Sequence, residues 1–268
     1  MSGTAEADAL RRAAAALAGA GIAQPAREAR LLRRAARDLP HFAALVARRA
    51  GREPMAFLRG RQGFWTLDLA VSPVTLIPRP DSETLIEAAL AACPDRTAVR
   101  RILDLGTGTG ALLLAALAEF PRAWGLGIDR VPQAAALAAR NAREAGFGDR
   151  AMFIAGGWAA SIAGRFDLIL ANPPYIPSGD IAGLMPEVAV YEPTSALDGG
   201  ADGLDAYRAI LPDLPRLLDS RGVAVLELGA DQADEVRALA RAAGVGEIAL
   251  RPDLGGVARA LVLRAGLA

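Results

Sequence analysis

Lysine is absent from all 268 positions, and the chain holds one cysteine (Cys93), one histidine (His41) and only 5% aromatic residues. A single cysteine excludes an intramolecular disulfide and fits a reducing compartment. The lone histidine, in the N-terminal segment, excludes a His/Cys metal cluster, so no metal is expected. Ser-His-Asp and Cys-His nucleophile arrangements would both have to use His41, and no candidate nucleophile lies near it in sequence. No apolar run approaches the ~18–20 residues of a membrane span, and the N-terminus lacks a signal-peptide core. The expectation is a soluble, cytoplasmic chain without a membrane partner. The missing lysine accompanies abundant Ala, Arg and Gly, the mark of a GC-rich genome, so alanine tracts carry no functional message.

Acidic and basic residues balance at 30 each. Their distribution is uneven. Residues 1–61 hold 12 Arg against 5 acids, a net of +7, which leaves a net of −7 in the rest. Such a split suggests that two parts of the chain meet different partners, although a solvated arginine face on a helical segment is the plainer reading. Residues 5–60 read as helices: Ala5 to Ala20, a second opened by Pro25, a third from about His41 to Ala50, and a short piece ending at Gly60. Residues 64–71 and 74–77 look like a hairpin. The chain is therefore expected to divide into a helical substrate-recognition domain (1–62), a hairpin-like connector (63–80) and a larger domain (81–268). Pro78 and Pro80 exclude helix up to Asp81 or Ser82, either of which can cap a helix from Glu83 to about Ala92. Arg79 and Glu83 are either surface charges at that cap or groups that hold the substrate loop or line the cofactor pocket.

Beyond Arg101 the pattern becomes strand, glycine turn, helix: Ile102-Leu103-Asp104-Leu105-Gly106-Thr107-Gly108-Thr109-Gly110, then Ala111 to Ala118. This is how a chain brings its backbone against a ligand at a helix start. Nineteen residues after Gly110, the strand Trp124 to Ile128 ends in Asp129, an acid able to hold two ribose hydroxyls. The glycine spacing departs from the G-x-G-x-x-G of dinucleotide binders and resembles the Asp-x-Gly-x-Gly-x-Gly turn of S-adenosylmethionine-dependent methyltransferases. A helix near 133–146 and a strand near 152–155 continue the alternation. Trp158 is either a stacking partner for adenine or an aromatic plug over the sheet edge.

Phe166 to Ala171 reads as a buried strand, and it runs directly into Asn172-Pro173-Pro174-Tyr175. A planar nitrogen in an amide or exocyclic amine is a poor nucleophile, because its lone pair is delocalised. Two acceptors that take both of its N–H hydrogens can hold it in line with an electrophile. The Asn172 side-chain oxygen and the Pro173 carbonyl are two such acceptors, the prolines stiffen the backbone carrying them, and Tyr175 offers a flat face to a planar substrate. The plainer reading is a proline turn with an asparagine bonded to local backbone. A long Gly/Pro-rich connection, 176–207, follows and reads as a wall or lid over the substrate. A helix over 206–218, a fifth strand over 223–228, a helix over 231–243 and a closing hairpin (247–250 and 258–263) complete the chain.

These residues together resemble the bacterial protein-(glutamine-N5) methyltransferases that act on peptide chain release factors. The resemblance runs nearly end to end. Leu76 to Glu83, Asp104 to Gly110, Asn172 to Tyr175, Glu187, Tyr191-Glu192-Pro193 and Leu197 to Leu204 carry it. Asn-Pro-Pro-Tyr also occurs in N6-adenine and some RNA methyltransferases; the 78–83 and 191–204 stretches separate this family from those. The resemblance implies a class I, Rossmann-like methyltransferase fold, α/β with a seven-stranded sheet whose last strand is antiparallel, behind a small helical domain. It implies that Gly106, Thr107, Gly108, Thr109 and Gly110, with Asp104, Asp129, Trp158 and Asn172, bind S-adenosylmethionine. It further implies that Asn172, Pro173, Pro174 and Tyr175 clamp the glutamine of a release factor's Gly-Gly-Gln motif. Two departures stand out: Gly157 where the family has an acid, which bears on adenine recognition, and Ser82 for a threonine. A monomer without stable nucleic-acid binding is expected. N5-methylation of a ribosomal-protein glutamine, N6-adenine methylation and a non-catalytic binder on the same fold are the alternatives, and the net negative charge of 62–268 speaks against nucleic acid.

Overall fold

The structure is a computed structural model that describes residues 3–160 and 162–266. The N-terminal part is four helices: α1 (Gly3–Gly19), α2 (Pro25–Ala35), α3 (Leu39–Ala50) and α4 (Met55–Arg59). Pro25 starts α2 with its φ already helical. The Asp38 carboxylate caps α3 by accepting the His41 N–H at 2.7 Å. Gly60 ends α4 in the left-handed conformation. Leu17, Leu32, Phe42 and Leu45 close a small apolar core of their own.

A two-stranded hairpin follows, β1 (Arg61–Phe64) and β2 (Leu67–Ala70). Its turn is Trp65-Thr66, with Phe64 paired to Leu67. The sequence pattern expects residues 64–71 to form a single strand paired with 74–77; instead the turn falls inside that run. Tertiary partners fix it there. The Trp65 N–H donates to Glu83 at 2.7 Å and the indole N–H to Glu119 at 2.9 Å. The buried Asn141 side chain accepts the Ala70 N–H at 2.9 Å and donates to the carbonyls of Ala70 and Thr109. Phe64 and Leu69 pack into the same apolar layer as Leu85 and Ile86. The hairpin is thus part of the body behind it.

That body is a seven-stranded sheet of β3 (Arg101–Leu105), β4 (Trp124–Asp129), β5 (Ala151–Ala155), β6 (Phe166–Ala171), β7 (Leu218–Glu227), β8 (Val245–Pro252) and β9 (Ala258–Ala265). The order is β5-β4-β3-β6-β7-β9-β8, and only β9 runs antiparallel to its neighbours. This is the architecture expected from the sequence. Helices α5 (Glu83–Ala92), α6 (Ala111–Glu119) and α7 (Pro132–Glu144) come before the long connection. It contains α8 (Pro186–Ala189), and α9 (Asp205–Ile210), α10 (Leu214–Leu217) and α11 (Ala233–Ala242) follow it. The central strands are apolar on both faces, as parallel strands covered twice must be. Ile102, Leu168 and Leu170 face one layer, while Leu103, Leu105, Ile169 and Ala171 face the other. The helix expected over 206–218 is broken into α9, a tight turn and α10, because Pro212 and Pro215 lack the N–H groups that a continuous helix needs.

The chain builds β3, β4 and β5 outward, then crosses back to lay β6 on the other side of β3. Ligands bind at such a reversal, outside the carboxyl ends of the strands. Leu105 pairs with Ala171, so the turn after β3 and the segment after β6 leave the sheet side by side.

Candidate active site

The glycine turn after β3 is built from three residues with left-handed backbone, Gly106, Gly108 and Gly110, at φ 75°, 54° and 82°. The N–H groups of Gly106 and Thr107 both donate to the Ile128 carbonyl at 2.9 Å, which draws the turn across to the end of β4. There the Asp129 carboxylate accepts the Gly108 N–H on one oxygen and the Val131 N–H on the other, each at 2.9 Å. A Cβ on Gly106 would lie 3.3 Å from the Trp158 ring. The absent side chain is therefore the space that the indole occupies.

A cavity of about 1000 Å³, open solvent included, lies over these strand ends. Gly106, Thr107, Gly108, Thr109, Asp129, Trp158, Asn172 and Pro174 all reach its wall, together with Arg79, Ser82, Ser195 and Ala196. The last two come from the long connection, which thus forms one side of the site, and Arg130 ties it down through the Ser195 carbonyl at 3.2 Å.

Asp104 sits behind the wall. It is buried, and one carboxylate oxygen accepts the Thr107 hydroxyl at 2.6 Å while the other has no partner. Burial pushes its pKa up to about 7, against the pull of the Thr107 hydroxyl. Its place is that of a brace beneath the turn. Gly110 is likewise behind the wall, at the start of α6, where a Cβ would crowd Ala138 at 3.2 Å.

The four residues after β6 separate. Asn172 faces the cavity, and its Nδ2 donates to the Ser82 hydroxyl at 3.0 Å. Ser82 occupies the cap position of α5 but makes no side-chain cap bond; its oxygen is engaged with Asn172 instead. Pro173 is buried. The Tyr175 ring packs against the apolar layer that holds Tyr207 and Leu228, and its hydroxyl donates to Glu227 at 3.3 Å. Pro173 and Tyr175 are therefore not wall residues, contrary to the expectation that Tyr175 offers its face to the substrate. A buried carboxylate is a stronger partner for the phenol than water at the cavity mouth. Gln232 fixes this segment from below, donating to the Tyr175 carbonyl at 3.0 Å.

Sequence reasoning missed Glu227 and assigned Arg79 no partner, although Arg79 does line the cavity, one of the two functional readings given to it. Glu192, buried and accepting the Ile77 N–H at 3.0 Å, pairs with Arg79 on the cavity wall. Glu227 had a signal: it is the single charged residue within the apolar run Val223 to Leu228.

The residues fit the cofactor that the glycine turn suggests. The turn leaves a cradle that a side chain at Gly106 would fill. Asp129 retains lone pairs for hydroxyl groups, and Trp158 presents an indole beside it. A family model described as the methyltransferase small domain matches residues 82–190. Among solved structures, the hMettl16 catalytic domain in complex with a MAT2A 3′UTR hairpin superposes with a TM-score of 0.63 at 16% identity, covering 84% of this chain and 82% of that one. The ribosomal protein L11 methylase of Lactobacillus delbrueckii superposes with a TM-score of 0.52 at 17% identity, covering 70% and 80%. Fold and family model define a class I, Rossmann-like methyltransferase, and S-adenosylmethionine is its cofactor.

The sequence relatives narrow the class. The release factor glutamine methyltransferase of Rhodospirillum rubrum is 52% identical, over 82% of this chain and 67% of that protein. That of Cereibacter sphaeroides is 44% identical, over 93% and 95%. The chain belongs to the release factor glutamine methyltransferase family.

Proposed function

We propose that the chain transfers a methyl group to the side-chain amide nitrogen, N5, of the glutamine in the Gly-Gly-Gln motif of a peptide chain release factor. The observation that carries this reading is the orientation of Asn172. With Nδ2 committed to Ser82, the other end of its amide, the acceptor Oδ1, is left for the cavity beside the glycine turn. The Pro173 carbonyl, which accepts no backbone hydrogen bond among the described residues, is the second acceptor. Its residue is drawn back from the wall, so Asn172 carries more of the clamp. The names of the relatives supply the substrate class.

S-adenosylmethionine brings a methyl group made electrophilic by a positively charged sulfur. The protein's contribution is to hold. Asp129 would accept ribose hydroxyls, the indole of Trp158 would cover the adenine, and Gly106 to Thr109 would let the backbone come close. Asn172 takes the hydrogens of the glutamine amide and aims its nitrogen. With the cofactor bound, the nitrogen aimed by Asn172 would take the methyl group from the sulfur and its surplus proton would pass to water afterwards, so these residues need supply no base beforehand. Positioning of this kind is worth about 7–11 kcal/mol in well-aligned systems.

Residues 1–62 serve as the substrate-recognition domain in this reading. Arg48, Arg49 and Arg52 are engaged with Glu53, Glu28 and Glu187. Exposed arginines with no ion pair among the described residues include Arg27, Arg30, Arg34 and Arg37, along and just after α2, and Arg12 and Arg59. Complex formation that weakens with rising salt is the expected result, and a salt-independent complex removes this docking face. The decisive experiment is incubation with purified release factor and labelled cofactor, followed by peptide mapping. Label on the Gly-Gly-Gln glutamine supports the assignment. Label on another residue, or on a ribosomal protein in its place, overturns it.

A further inference from the structure

We infer that Arg79 binds the carboxylate of the cofactor's amino-acid arm, and that the buried Glu192 is the positioning residue that holds its guanidinium at the wall. The inference deepens the reading of the cavity and rests on one part of it, that Asn172 marks where the methyl group is transferred.

Arg79 lies between Pro78 and Pro80, extended at φ −103° and ψ 142°, so it stays outside the helical turn that Pro80 opens. Its side chain is 36% exposed, and the residue lines the cavity. Nη2 pairs with Glu192, while Nε and Nη1 have no hydrogen-bond partner among the described residues. Only 1% of the Glu192 side chain is exposed, and its second oxygen accepts the Ile77 N–H at 3.0 Å. Both carboxylate oxygens thus grip one short stretch of chain. The segment that carries Glu192 is itself tied down, because the Tyr191 hydroxyl donates to the Gly51 carbonyl at 2.6 Å. A guanidinium fixed on one edge, with donors left over, is suited to a second anion.

Among the described residues, three charged ones line the cavity: Arg79, Asp129 and Arg130. S-adenosylmethionine has one negative group, the carboxylate, and it lies across the sulfur from the ribose. Asp129 and Trp158 mark the adenosine end of the cavity, and Asn172 marks the sulfur. Arg130 follows Asp129 at the adenosine end, is exposed, and donates to the Ser195 carbonyl at 3.2 Å. Arg79 belongs to the Asn172 end. Asn172 Nδ2 donates to the Ser82 hydroxyl at 3.0 Å, and the Ser82 N–H donates to the Arg79 carbonyl at 3.2 Å. An arm that leaves the sulfur away from the ribose therefore meets Arg79 rather than Arg130. A carboxylate taken out of water needs a charged partner, and Arg79 is the positive group at that end.

The test is calorimetric titration of the full chain, without release factor, with S-adenosylmethionine and with its decarboxylated analogue, which lacks only the carboxylate. Arg79→Ala should weaken S-adenosylmethionine about 10–100-fold, the range of one charge-assisted hydrogen bond, and change the analogue by less than about twofold. Arg79→Lys keeps the charge without separate donors for two carboxylates, so a loss of about 3–10-fold with the same selectivity is expected. Glu192→Gln leaves one oxygen for Ile77 and Arg79 to share; it should weaken S-adenosylmethionine about 3–10-fold and spare the analogue. Equal losses for both ligands would make Arg79 a structural strut and overturn the inference. So would a selective loss in Arg130→Ala with none in Arg79→Ala, which would put the carboxylate at the other end. A raised KM for release factor in Arg79→Ala, with cofactor affinity unchanged, would mean that the guanidinium serves an acidic group of the substrate protein, and overturns it too. If Arg79→Ala does not fold, the selectivity of Arg79→Lys decides. Unchanged S-adenosylmethionine affinity in Glu192→Gln removes the holding role. Full transfer by Asn172→Ala sinks the clamp reading itself; a selective loss at Arg79 alongside it leaves the carboxylate contact standing.

Discussion

Replacing Arg49 by alanine removes the hub of an ion network that joins the N-terminal helices to the long connection flanking the site. The Arg49 guanidinium donates to Glu28 at 2.6 Å, to Glu187 at 3.0 Å and to the Glu53 carbonyl at 3.3 Å, while Arg52 holds the second Glu187 oxygen at 2.8 Å. Side-chain exposure is 9% for Arg49, 20% for Glu28 and 16% for Glu187. Exposed pairs contribute ~0.2–1 kcal/mol, and breaking a fully buried pair costs ~3–5 kcal/mol. These groups lie between those limits, nearer the buried one, so Arg49→Ala should cost about 2–3 kcal/mol. Glu187 keeps Arg52, so most of the loss falls on Glu28. Urea unfolding followed by circular dichroism measures it, and a double-mutant cycle with Glu187→Gln should give a coupling of about 1 kcal/mol. Because the pair is shielded, the loss should be nearly the same at low and high salt. A cost below about 0.5 kcal/mol with no coupling would mean that the network behaves as surface charge, and the reasoning would fail.

Gly106→Ala puts a side chain into a left-handed backbone and against the Trp158 ring; a stability loss of about 1–2 kcal/mol and at least tenfold weaker cofactor binding are expected, read by calorimetric titration. Asn141→Leu strips partners from Ala70 and Thr109 in a buried place, so about 2–4 kcal/mol should be lost, seen as a thermal midpoint roughly 5–10 °C lower. Burial raises the folded-state pKa of Asp104 from 3.8 to about 7, so the native state binds that proton more tightly than the unfolded chain. The resulting stability is full below the unfolded value and is lost as pH rises to about 7, at about 1 kcal/mol per pH unit. Asp104→Asn should flatten that slope in urea titrations between pH 5 and 7; an unchanged slope would refute the assignment.

The legible parts of the fold were those where local chemistry leaves little choice. Gly106, Gly108 and Gly110 between an apolar strand and an alanine-rich run announce a turn with left-handed backbone. Two prolines after Ala171 end a strand whatever surrounds it. Elements bounded by distant partners were not legible in the same way. The Trp65-Thr66 turn falls inside a run with good strand character because Glu83 and Glu119 take the Trp65 N–H groups. The helix expected over 206–218 is broken by Pro212 and Pro215, which composition did show and periodicity obscured. Trp158 and Asp129 reach the expected cavity, whereas Asp104, Gly110, Pro173 and Tyr175 serve it from behind.

By itself, the sequence determined the alternation of strand and helix, the glycine turn and the acid one strand later, because backbone sterics and side-chain period act within a dozen residues. It also placed an amide and two prolines at a strand end. Only the tertiary structure decided where the side chains of these motifs point. Strand order brings β7 beside β6, so a carboxylate 52 residues from Tyr175 takes its hydroxyl. Ser82, which looks like a helix cap, is turned to Asn172, 90 residues away. A buried polar group must find a partner wherever the fold provides one, and which partner that is depends on the packing of strands distant in the chain.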